Sequence, residues 1–232
     1  MIRVGGFVTR LIIEYAGWVT MLKEICVENF TMVPEAIIRG ANRIELCDNL
    51  SVGGTTVSHG VALKTIQYCN SKNIKVMTMI RPRGGSFIYN KEEIEIMKND
   101  IAHFKQLGTD GVVMGCLTDS GWIDEDAMLT LLDDTKGLDI TFHMAFDQIQ
   151  HEYQFDAIDW LVKHRVNRIL THGGPNNLPI EHNMIRLKEY VDYAAERIII
   201  LPGGGISDKN LHYITDYLNI REVHGTKIVG DF

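Results

Sequence analysis

Eight short apolar runs recur along this chain, and seven amphipathic stretches stand between them. The runs occupy residues 22–27, 43–48, 74–80, 111–115, 140–146, 168–171, 197–201 and 222–224. The amphipathic stretches occupy 33–39, 58–71, 91–107, 124–134, 155–164, 181–195 and 207–218. A short, near-continuous apolar run reads as a strand buried on both faces, which is how strands of a parallel sheet covered by helices look. Eight strands separated by single helices predict an α/β fold of the (β/α)8 TIM-barrel type rather than an open doubly wound sheet, which usually has fewer strands at this length. The chain has 232 residues, compact for a class that runs to about 250. Ser58 and Ser207 are N-cap types, Asn90 precedes the acidic pair Glu92 and Glu93, and Gly40 and Gly108 stand where helices should stop.

The last run lies so close to Phe232 that the final outer helix is expected to be reduced or missing. That leaves apolar surface beside the first strand, to be covered by the N-terminal segment or by a second subunit, so a homodimer or higher homo-oligomer is expected. No linker or low-complexity stretch divides the chain, which predicts one domain over residues 21–232. Residues 1–20 read as an N-terminal extension, apolar but broken by Arg3, Arg10 and Glu14, without the uncharged core of a signal peptide. No stretch reaches the ~20 apolar residues of a membrane span. A formal net charge of −7 with no long basic run argues against nucleic acid or an anionic membrane as partner. Four cysteines without a C-x-x-C pair exclude zinc-finger and thioredoxin readings, and so few in so long a chain fit free thiols in a reducing, cytoplasmic setting.

Two runs carry unusual chemistry. Glu24 and Cys26 lie two apart on the first strand, and Glu45 and Cys47 two apart on the second. On a strand that spacing puts each pair on one face. A barrel interior normally holds branched aliphatics, so the pattern predicts a polar, sulfur-bearing site at the strand ends, where such barrels keep their active face. Adjacent strands are about 4.8 Å apart, close enough for Cys26 and Cys47 to share a Cu(I) ion, which thiolate and thioether ligands select. Met77 and Met79 share one face of the third strand and could add thioethers. The competing reading makes both cysteines small core hydrophobes, separated because inward residues of neighbouring strands are staggered. Cys69 and Cys116 read as structural.

Other residues at the expected mouth suit acid–base work on a small anionic or phosphorylated metabolite. His143 and Asp147 share a face if the fifth strand stays regular, and with Glu24 and Glu45 they form a candidate catalytic set. Candidate anion binders are Arg81 and Arg83, the Gly203, Gly204 and Gly205 run ahead of a helix, and His224 with Thr226 after the last strand. Against this, the glycines can serve only as a tight turn, and Arg81 can pair with Glu24 or Glu45. No G-x-S-x-G or H-E-x-x-H motif appears. His59, His103, His151, His164, His182 and His212 read as surface residues.

In order along the chain, E-I-C-V, R-I-E-L-C, G-G-T-T, M-I-R-P-R-G-G, T-F-H-M-A-F-D, R-I-L-T, P-G-G-G-I and E-V-H together resemble the CutC family of copper homeostasis proteins. The resemblance runs from about Leu22 to Thr226. It implies a cytoplasmic (β/α)8 barrel with a copper-binding role, and the family's proposed Cu(I)-binding cysteines match Cys26 and Cys47. Three positions depart from the family pattern: Met144 replaces a common Arg, His172 a usual Ser, and the chain stops early after G-T-K-I. The first removes a positive charge near the fifth strand.

Overall fold

The computed structural model describes residues 21–174 and 177–231. Its elements alternate as the runs predict. The strands are β1 (Leu22–Glu28), β2 (Arg43–Cys47), β3 (Lys75–Met79), β4 (Gly111–Met114), β5 (Asp139–Phe142), β6 (Arg168–Thr171), β7 (Ile199–Pro202) and β8 (Glu222–Gly225). Between them run the helices α1 (Val33–Ile38), α2 (His59–Asn70), α3 (Lys91–Leu107), α4 (Glu125–Asp134), α5 (Gln154–Lys163), α6 (Met184–Ala194) and α7 (Leu211–Leu218). All ladders are parallel, in the order β7-β6-β5-β4-β3-β2-β1-β8. The barrel is nearly closed. A single parallel bridge between Ser207 and Lys227 spans the ends of β7 and β8, with the Asp208 amide donating to the Lys227 carbonyl at 3.1 Å.

The period-2 alternation of a strand sorts the side chains into two shells. Ile25, Val27, Ile44, Leu46, Val76, Val112, Phe142 and Ile169 face outward into the layer shared with the helices. Cys26, Cys47, Met77, Met79 and Val113 form a separate cluster within the barrel. Gly111 makes room for it, because a Cβ there would stand 2.4 Å from Met77 Cε and 2.5 Å from the Asp139 carbonyl oxygen.

The first residues of several strands form a charged layer across the barrel. Arg43 pairs with Glu24 and reaches Glu222 at 2.7 Å. Arg168 joins Glu222 at 3.1 Å to Asp139 at 3.0 Å, and Lys75 lies 3.6 Å from Asp139. Buried charges are tolerable when each is paired in this way.

Local signals set the helix ends. Asn90 and Glu93 make a reciprocal capping box on α3, with both bonds at 2.9 Å, and Gly108 ends the helix at φ 87°. Ser58 caps α2, accepting from the Val61 amide. Ser207 does not cap α7: residues 207–210 form a turn in which Asn210 Oδ1 accepts from the Ser207 amide at 2.9 Å, and the helix starts at Leu211. β5 ends at Phe142, four residues before the expected end, because His143 turns the chain into a 3-10 helix (Met144–Gln148) by accepting from the Ala145 amide at 3.2 Å. α6 is preceded by its own 3-10 turn (Ile180–Asn183).

No helix follows β8 among the described residues. The tail instead buries Ile228 and reaches α1, where Arg39 donates to the Asp231 carbonyl at 2.8 Å. Ile38 on α1 stays 77 % exposed. Residues 1–20, expected to help cover this side, lie outside the described residues. No helix among the described residues is long and apolar enough to cross a membrane.

Candidate functional site

The site begins with the register of β1 against β2. Cys26 lies opposite Glu45, and Cys47 opposite Glu28, so the two cysteines are offset as barrel geometry requires. The offset does not part the sulfurs: Cys26 Sγ and Cys47 Sγ are 3.5 Å apart. Strand tilt and inward-leaning side chains close the step. Cys26 Sγ donates to Glu45 Oε1 at 3.2 Å, and Cys47 Sγ lies 3.5 Å from the Val27 carbonyl oxygen. Met77 and Met79 complete a sulfur-rich wall. All four cysteines are free thiols.

Beside the sulfurs stands a buried ionic relay. His224 Nδ1 donates to Glu24 Oε1 at 2.8 Å and lies 3.9 Å from Glu45 Oε2. Burial pushes the Glu24 carboxyl up, but Arg43 and His224 outweigh it and hold the group at about 2. Burial, then Glu24, raises Glu45. Burial opposes charge on His224, yet Glu45 and Glu24 raise it above its ordinary value. The hydrogen bond with Cys47, burial and the Glu45 charge push the Cys26 thiol well above its usual range. Cys26, Glu45 and a ring nitrogen of His224 lie within 4.8 Å of one another, all buried.

A cavity of about 200 Å³ adjoins this group at the C-terminal ends of the strands. Cys26, Glu45, Met79, His143 and His224 line it from the barrel, and Gly204, Gly205 and Thr226 from the last two loops. His143 is buried and accepts from Ala145 through Nδ1, while burial and the nearby Arg81 charge push it down to about 3. A larger cavity of about 410 Å³ lies at the opposite end, between α6, β7 and the start of β8, with no sulfur or imidazole in its lining.

Several expected site residues have other employment. Glu24 is an ion-pair partner of Arg43 and His224 away from the cavity, not a free acid–base group. Asp147 does not share the face of His143, because the strand ends first. Its carboxylate accepts from the Thr171 hydroxyl and from the His172 amide at 2.9 Å, and burial pushes it up to about 6. Arg81 pairs with neither glutamate. It donates to the carbonyls of Val52, Gly54 and Gly85 at 2.7–2.8 Å and stacks on Phe87, holding the loop after β3. Arg83 turns outward to Glu93. The Gly203 amide is spent on the Thr171 carbonyl at 3.0 Å. Of the expected anion binders, Gly204, Gly205, Thr226 and His224 remain at the cavity. Arg43 was missed, although its place two residues before Glu45 puts it on the same strand face. His172 was also missed as a positioning group: its ring nitrogens face the Gly203 and Leu178 carbonyls at 3.1 and 3.0 Å, tying two mouth loops together.

The chain that carries these paired cysteines at the mouth of a parallel barrel is similar in sequence to known proteins. The sequence profile of the CutC family matches residues 21–229. The chain belongs to the CutC family. A CutC family protein of Enterococcus faecalis is 57 % identical over 209 residues, covering 90 % of this chain and all of the relative. The human copper homeostasis protein cutC homolog is 40 % identical, with 88 % of this chain and 72 % of the relative covered. The crystal structure of a CutC protein from Streptococcus agalactiae superposes with a TM-score of 0.87 at 44 % identity, covering 90 % of this chain and 100 % of that one. An aldolase at 11 % identity and TM-score 0.65 shares the barrel fold alone.

Proposed function

We propose that this CutC protein binds Cu(I) through Cys26 and Cys47, with Met77 and Met79 beside them, and handles the ion in the reducing cytoplasm. The observation that carries the reading is the 3.5 Å separation of two buried thiols within a sulfur-rich wall. The donor set fits the ion: thiolate and thioether are soft ligands that select Cu(I), and free thiols persist where the compartment is reducing. The Cys26 thiol is held protonated without metal, so binding exchanges its proton for the ion. Copper is the cargo in this reading, and the chain's part is to hold it away from solvent.

The test is an anaerobic titration of reduced protein with Cu(I) against a competing chelator, beside the Cys26→Ser/Cys47→Ser double variant. Tight binding that vanishes in the variant is the expected result. Full affinity in the variant would end the proposal and return the two cysteines to the barrel core.

A further inference from the structure

The Cys26–Cys47 pair leaves one feature of the mouth unused: a carboxylate and an imidazole that converge on Cys26 from β2 and β8. Cys26 Sγ, a Glu45 carboxylate oxygen and a His224 ring nitrogen lie within 4.8 Å of one another. Ligands of a tetrahedral zinc-type ion stand about 2.0–2.3 Å from it, so a small inward movement brings the three atoms into range. We propose that Cys26, Glu45 and His224 form a second metal site, for a divalent cation of borderline softness such as Zn²⁺, with an open coordination position facing the cavity.

Two further observations point to a cation there. Glu45 Oε2 is buried and has no hydrogen-bond partner, although Oε1 receives the Cys26 thiol. A buried orphan oxygen costs free energy that a bound cation removes. His224 is also prepared as a ligand. Its Nδ1 donates to Glu24 at 2.8 Å, and Arg43 holds Glu24 from behind. A carboxylate on Nδ1 fixes the ring as it does behind metal-binding histidines, so the ion would be taken through Nε2 and would displace any proton carried there. Three protein ligands of mixed type with a free position beside a cavity describe a site that keeps room for water or substrate, unlike a closed structural site. Cys26 is common to this site and to the copper pair, so the two ions exclude each other.

Cobalt(II) is the probe, added without oxygen to reduced protein. A thiolate-to-cobalt charge-transfer band with tetrahedral visible bands is expected, and Zn²⁺ should bleach both. Glu45→Gln and His224→Phe should each weaken binding by at least about 100-fold, and Glu24→Gln by about 10- to 100-fold. Cys47→Ser should leave the cobalt spectrum intact while removing a ligand of the copper pair, which separates failure of this site from failure of the Cu(I) reading. Absence of the charge-transfer band would overturn the proposal. So would a spectrum that survives Glu45→Gln, or one lost in Cys47→Ser but kept in Glu45→Gln. Should His224→Phe fail to fold, the nearly isosteric Glu45→Gln decides alone.

Discussion

At the residue scale, charge pairing inside the barrel sets the behaviour of each group. Glu24 titrates at about 2 instead of 4.5, because Arg43 and His224 together outweigh the cost of burial. The unfolded chain therefore binds more protons than the folded one between these values. The stability Glu24 contributes is present above pH 4.5 and is lost as pH falls toward 2. Glu24→Gln should flatten this acid limb and, by leaving Arg43 short of a partner, cost roughly 3 kcal/mol at neutral pH. Urea unfolding of both proteins at several pH values reads both effects. Metal binding has the same proton balance, because it too releases protons. Copper on Cys26 and Cys47 displaces thiol protons, so the chelator competition should report higher affinity at pH 8 than at pH 6.

At the element scale, the two arginines after β3 are a buried loop anchor, Arg81, and a half-exposed one, Arg83. Arg81 ties three carbonyls of the β2 and β3 loops, and Arg81→Ala should cost about 2–4 kcal/mol by leaving them without a donor. Arg83→Ala removes a half-exposed pair with Glu93 together with donors to the Gly84, Ser86 and Ile88 carbonyls, which water can reach at this edge; it should cost about 1–2 kcal/mol, less than Arg81→Ala, and should leave metal binding unchanged. Asn90→Ala breaks the capping box of α3 and should cost about 1 kcal/mol. Denaturant unfolding with the Cu(I) titration checks all three. The capping box was legible because its signals are local: a cap residue followed three positions later by Glu. The end of β5 was not, because a single hydrogen bond from the Ala145 amide to His143 turns the chain at a point where the apolar run continues. That turn is what carries Asp147 away from His143.

At the scale of the whole molecule, the barrel is a charged layer at the strand starts, a sulfur cluster above it and a cavity at the mouth. Gly111→Ala tests how tightly these are stacked. Its added methyl meets Met77 Cε at 2.4 Å and backbone at 2.5 Å, so a loss of about 1–3 kcal/mol is expected from thermal or urea unfolding. The order of eight strands and seven helices, the inward face of each strand and the presence of thiols and carboxylates on neighbouring strands all follow from the sequence, because period and chain order are local properties. The partners those side chains take were decided by the tertiary structure. Glu24 found Arg43 rather than Arg81, and two staggered cysteines met at 3.5 Å. Pairing across strands depends on register and tilt, and closing the barrel sets these for all the strands at once.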